Sequence, residues 1–300
     1  MGAGSEHLLY LLLVSRSLPH TAIGALALVA AIAAAPGAAA DEQPIGADAP
    51  PPPLGRDYFL NPPRRGTWAS FDAYTAGLQA TLEQRISIAR DDYAAIVPRV
   101  NTLASLGFGE VAAHTDVRFL FFSVGVSGGY RRVWRTYEYA PGVEGTRALR
   151  LETDDAKAFT AESWGYGEGR FRMVLPVADP VLVMANAAVR YEDCPNNSFD
   201  WLHTTMHDRG WLFRYDATVF FRAASIGAIG PTVRIMELPR NGRRELEIAA
   251  GFTGGRRLGL LPNDLFLANV LTRPGDESFG FQIVRLPVYA LLVYRVSIEL

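Results

Sequence analysis

Strict two-residue alternation, apolar faces almost free of charge, and strands too long for an ordinary soluble sheet together predict the fold class. The chain reads as all-β, closing into an antiparallel up-and-down transmembrane β-barrel of ten to twelve strands. A signal peptide and a Pro-rich linker precede the barrel. The alternation is plainest at Tyr74–Arg90, where Tyr74, Ala76, Leu78, Ala80, Leu82, Gln84, Ile86 and Ile88 interleave with Thr75, Gly77, Gln79, Thr81, Glu83, Arg85 and Ser87. A period of two places these sets on opposite faces of a strand, and no 3.6-residue spacing competes with it. Several such runs reach eleven residues or more. Strands in soluble domains cluster near about 5–6 residues, whereas about 9–11 tilted residues cross a bilayer. An Arg facing lipid at the midplane costs roughly 2–4 kcal/mol, so a membrane enforces this kind of segregation.

Taken in order, residues 22–40 form an Ala/Leu/Val run ending in Ala38-Ala39-Ala40 before Asp41. This is an apolar export segment with a small-residue cleavage site, and cleavage is expected near Ala40. The uninterrupted stretch before Pro36 falls short of the roughly 18–20 residues a membrane-spanning helix needs. From Asp41 to about residue 70 the chain is rich in proline (Pro44, Pro50–Pro53, Pro62, Pro63) and reads as an extended linker. The barrel domain is expected over 71–300. Further alternating runs occupy 109–118, 163–175, 181–192, 211–222, 229–238, 244–253 and 264–273, with a final long strand over 279–300. Long connections are expected at 91–108, 139–162 and 193–205, and short turns near 125–128, 177–180 and 223–228. The five tryptophans fall near strand ends, where interfacial aromatic girdles form.

The last strand, Leu292-Val293-Tyr294-Arg295-Val296-Ser297-Ile298-Glu299-Leu300, keeps an apolar residue at every second position back from the terminus. It resembles the C-terminal signature of Gram-negative outer-membrane β-barrel proteins, with Leu300 where that class usually carries Phe or Trp. The resemblance is at the level of the class. It implies an outer-membrane location, surrounding lipid as one partner, and the barrel-assembly machinery, which reads the terminal strand, as another.

The polar faces define the expected lumen: Glu83, Arg85, Glu110, His114, Asp116, Arg118, Glu168, Arg170, Arg172, Arg190, Glu192, Arg214, Asp216, Arg234, Glu245, Glu247, Arg295 and Glu299. Arginines and carboxylates in a barrel of intermediate size either pair and close it or leave a constriction that selects solutes. A narrow pore passing a small solute, or a largely plugged structural barrel, is the expected function. A net charge of −2 excludes a basic nucleic-acid interface. A single cysteine, Cys194, excludes an internal disulfide framework.

Two other classes of function fit the sequence less closely. A rim-sited protease- or phospholipase-like hydrolase would need Asp91, Asp92, His207 and Asp208 to converge on one cleft, where an acid and an imidazole activate water. A soluble periplasmic barrel or sandwich holding a small apolar ligand would carry its charges outside. The Gly165, Gly167, Gly169 row is followed by a strand and lacks the helix N-terminus that a phosphate loop requires. His203 and His207 would stand roughly 13 Å apart on a strand, too far to share one ion. No cofactor or metal is expected.

Overall fold

The computed structural model describes the chain from Gly66 to Leu300, with breaks at 76, 89–93, 106, 135–137, 140–148, 151–161, 179, 196–197, 201, 203–204, 224–226, 241–242, 262 and 274–287. Twelve strands form one closed antiparallel barrel: β1 (Gly66–Tyr74), β2 (Gly77–Ser87), β3 (Ala94–Ser105), β4 (Phe108–Phe119), β5 (Phe122–Val133), β8 (Glu162–Ala178), β9 (Val181–Glu192), β12 (Gly210–Ala223), β13 (Gly227–Arg240), β14 (Arg243–Arg256), β15 (Leu265–Thr272) and β16 (Val288–Glu299). Each pairs with its neighbour in sequence, and β1 closes on β16 through Asp72↔Arg295 and Phe71↔Val296. Four short strands lie outside the wall as two hairpins, β6 (Glu138–Tyr139) with β7 (Leu149–Arg150) and β10 (Ser198–Asp200) with β11 (Thr205–His207).

The even strand number brings Gly66 and Leu300 to one end, called here the terminal end. The connections after β5, β9 and β15, which are the long ones, all leave from the other, or loop, end. With strands about 4.8 Å apart and tilted about 40°, twelve of them enclose a backbone cylinder roughly 24 Å across. Side chains from one wall cannot fill that width alone.

Alternation separates the two surfaces as expected. Leu82, Val100, Val111, Val126, Ile248 and Phe252 are exposed on the outside, while the opposite positions Glu83, Asn101, Glu110, Ser127, Glu247 and Arg190 are buried inside. Charges on the outward face keep to the strand ends. Arg244 and Glu237 pair at the loop-end rim, with the Arg244 guanidinium 5.1 Å from the Phe213 ring centre. A soluble barrel with an apolar interior shows the reverse arrangement, and the structure excludes that reading.

Several expectations need correction. The barrel starts at Gly66, so the end of the expected linker belongs to β1. The expected loop at 91–108 contains β3, whose inward set Ala95, Val97, Arg99, Asn101 and Leu103 is half apolar and hides the alternation. Pro98, which normally argues against a strand interior, stands within it opposite Thr115. The expected turn at 125–128 is the middle of β5, and the real turn lies between Phe119 and Phe122. The terminal strand begins at Val288, and 279–287 lies outside the described residues. The tryptophans divide between the surfaces. Trp211 faces outward and meets Tyr191 edge to face at 5.2 Å, and Trp134 lies over Gly109. Trp68 and Trp164, by contrast, are buried inside, and Trp201 is outside the described residues.

Candidate functional site

The lumen is the surface where charge collects. The structure turns Glu83, Arg85, Glu110, His114, Asp116, Arg118, Glu168, Arg170, Arg172, Arg190, Glu192, Arg214, Asp216, Arg234, Glu245, Glu247, Arg295 and Glu299 toward the interior, since each stands in phase with the buried set of its strand. They do not form one cluster. They form short chains that hug the wall, each between the same, adjacent or next-adjacent strands.

In the terminal half, Arg170 holds Asp116 through both carboxylate oxygens, at 2.8 and 3.0 Å, and Arg99 reaches the same carboxylate at 3.2 Å. Arg170 crosses β5 to do so, and it crosses at Gly125, where a Cβ would collide with Asp116 Oδ1. Glu83 takes Arg85 from its own strand, Asp216 takes Arg234 and Arg214, and nearer the loop end of β1 Asp72 takes a forked pair from Arg295 at 2.6 and 2.7 Å. His114 hydrogen-bonds Asn101. Arg172 donates to the Asn186 side-chain Oδ1 at 2.8 Å. Neither Arg118 nor Arg172 makes an ion pair among the described residues. Forked Arg–carboxylate contacts fix geometry as well as charge.

The loop half is built differently. Arg131, 1 % exposed, donates to Glu110 Oε2 through Nε at 2.9 Å and Nη2 at 2.7 Å, and its Nη1 lies 3.6 Å from Asp200 and 3.7 Å from Glu192. The Tyr166 hydroxyl donates to Glu110 Oε1 at 2.6 Å. Its ring passes over Gly129, where a Cβ would stand 2.5 Å from it. Arg190 lies 4.0 Å from the Tyr166 ring centre and bonds Glu168 and Glu192 at 2.8 and 2.9 Å. The Trp164 indole N–H completes the chain by donating to Glu192 Oε2 at 3.1 Å.

Into this layer the connection between β9 and β12 folds inward. Asp200 of β10 reaches Arg131 of β5. The Tyr289 hydroxyl of β16 donates to the Leu202 carbonyl at 2.7 Å, although β16 stands five strands round the ring from β9. Leu202 and Cys194 pack with Leu103, Phe108, Val133 and Trp164, which belong to β3, β4, β5 and β8. The described residues of this connection thus contact both β5 and β16. Burial, and then the nearby charge of Glu192, push the Cys194 thiol up.

Of the hydrolase constellation, only His207 and Asp208 fall among the described residues. His207 and Asp208 are buried at the loop end. Asp91 and Asp92 lie outside the described residues. His203 is likewise outside the described residues. The Gly165, Gly167, Gly169 row faces outward, and a Cβ on Gly167 would meet nothing within 4 Å. Sequence reasoning missed Asp72, Arg99, Arg131, Tyr166 and Asp200. Tyr166 is in phase with Glu168 and Arg170, a signal available in the pattern, whereas Asp72 shares its phase with Tyr74, which the alternation put on the apolar face.

No known protein-family profile matches the chain, and no curated protein matches it. Among solved structures it is similar to the translocator domain of the autotransporter NalP from Neisseria meningitidis, at 9 % identity and a TM-score of 0.34, over 77 % of this chain and 85 % of that one. The likeness is one of strand architecture and carries nothing further. Fold and lumen define a class: a twelve-stranded β-barrel of the outer-membrane type, with an apolar exterior and an ionised interior.

Proposed function

We propose that this chain is an outer-membrane barrel whose mouth is held shut by its own inserted hairpin. Behind the hairpin lies an arginine-rich vestibule that admits small anions once the hairpin moves. Lipid is the partner of the apolar wall, and the barrel-assembly machinery is the partner of the terminal strand. The observation that carries the reading is the double anchoring of the hairpin, through Asp200 to Arg131 two strands from β9 and through Leu202 to Tyr289 five strands away. The vestibule's anion preference rests on Arg118 and Arg172, neither of which makes an ion pair among the described residues, Arg172 having Arg170 as its strongest charged neighbour.

Planar-bilayer recording tests it. Pure refolded protein is expected to show a closed baseline with rare small steps. Replacing residues 199–204 by a Gly/Ser link is expected to give steady conductance with a reversal potential favouring anions. Steady conductance of the unaltered chain, equal to that of the variant, would refute the plug.

A further inference from the structure

Cys194, His207 and Glu192 are all buried, at 2 %, 1 % and 1 % exposure, and one ligand-type atom from each lies within 4.8 Å of the others. Cys194 Sγ stands 3.5 Å from His207 Nδ1. A tetrahedral zinc ion, with bonds of about 2.3 Å to sulfur and about 2.0–2.1 Å to nitrogen, sets its S and N ligands about 3.6 Å apart. The contact has the length of one edge of such a site. As a hydrogen bond it is a weak S–H···N contact, and His207 Nε2 has no hydrogen-bond partner among the described residues. The Nδ1 side of this buried ring, whose partner is only the weak thiol contact, is the side an ion would take.

The surroundings favour a cation of that type. Asp200 and Asp208 add buried carboxylates near the thiol, against Arg131 and Arg190 as the buried cations of this layer. Glu192 is oriented by Trp164 and Arg190, which leaves lone pairs on both oxygens for a ligand bond. That is the outer-shell support that metal-binding carboxylates carry. Thiolate, imidazole and carboxylate together suit zinc and not magnesium or calcium.

We propose that Glu192, Cys194 and His207 supply three ligands of a zinc site whose fourth ligand is water, the thiol proton passing to solvent as the Zn–S bond forms. The site joins the end of β9 in the wall to the returning strand β11 of the inserted hairpin. It stands whether or not the barrel conducts.

The test uses the folded, tag-free full chain in detergent. Equilibrium dialysis with zinc alone is expected to give one ion per chain. Cobalt in its place is expected to show a thiolate-to-cobalt charge-transfer band in the near ultraviolet together with tetrahedral visible bands. Losing an outer-shell partner weakens metal sites by about 10–100-fold, so Cys194→Ser and His207→Gln are each expected to weaken binding by at least about 100-fold. Heat-modifiable gel mobility confirms that the variants fold, and the cobalt spectrum of the unaltered chain stands if they do not. No stoichiometric zinc, or bound cobalt without the thiolate band, would reduce the pair to a hydrogen bond and overturn the site.

Discussion

The two halves of the lumen hold their charges by different means. In the terminal half, pairs such as Glu83 with Arg85 and Asp116 with Arg170 line the wall and keep their guanidiniums partly open, with side-chain exposures of 17 % and 21 %. In the loop half, Arg131 sits at 1 % exposure among Glu110, Glu192 and Asp200, the last belonging to the β9–β12 connection. The first half is a lined vestibule, and the second is a packed layer. An ion pair open to water is worth little, because solvent screens it. A buried pair contributes little net stability when intact but leaves a costly orphan charge when broken. The same residue types therefore have opposite sensitivities in the two halves.

The largest expected effect breaks the packed layer. Arg131→Met leaves three carboxylates without their shared cation and is expected to cost about 3–5 kcal/mol, read as the urea midpoint of unfolding in lipid. Arg85→Met, in the vestibule, is expected to cost under about 1 kcal/mol on the same assay. Equal losses would erase the distinction between the halves. Next, Gly129→Val drives a branched side chain into the Tyr166 ring and is expected to cost about 1–3 kcal/mol. Gly167→Val on the outer face, where the Cβ meets nothing, is expected to be neutral on the same midpoint.

The smallest effect lies at the terminal end, in the turn before β15. Burial opposes the charge of Asp264 there, but the backbone N–H groups of Gly259, Leu260 and Leu261, with the Tyr294 hydroxyl, outweigh it and hold the carboxyl below its usual range. A depressed acid stabilises the fold above its unfolded value, about 4, and that stability is lost as pH falls through the lower folded value. Asp264→Asn is therefore expected to lower the unfolding midpoint slightly at neutral pH. The gap to the unaltered chain is expected to close in strong acid. A gap that stays constant with pH would count against this capping role.

Much of this was legible in the sequence because one rule, period two with charge on one side, governs most of the wall. Glu83, Asp116, Arg170, Arg190 and Asp216 could be placed from phase alone. The rule fails where the lumen face is not charged. In β3 the inward Ala95, Val97 and Leu103 are apolar, Leu103 packing with Leu202 of the hairpin, so the strand loses its contrast. In β5 the inward Ser123, Gly125, Ser127 and Gly129 are small because Asp116, Arg170 and Tyr166 pass over two of them. A Ser/Gly series reads as a turn when those crossing side chains are unknown. The inserted hairpin was not legible, since Asp200 and Leu202 find their partners on strands β5 and β16, remote in the chain. Trp164 was misplaced for a related reason: its partner is the buried Glu192 and not a lipid headgroup.

The central claim is the sidedness of the wall, and tryptophan quenching by lipid-borne bromine tests it most directly. Proteins keeping one tryptophan each, at Trp211 or at Trp164, would be refolded into vesicles of brominated phospholipid. Strong quenching of Trp211 with Trp164 left bright is the expected result; quenching of Trp164 as deep as that of Trp211 would contradict an interior shut off from lipid.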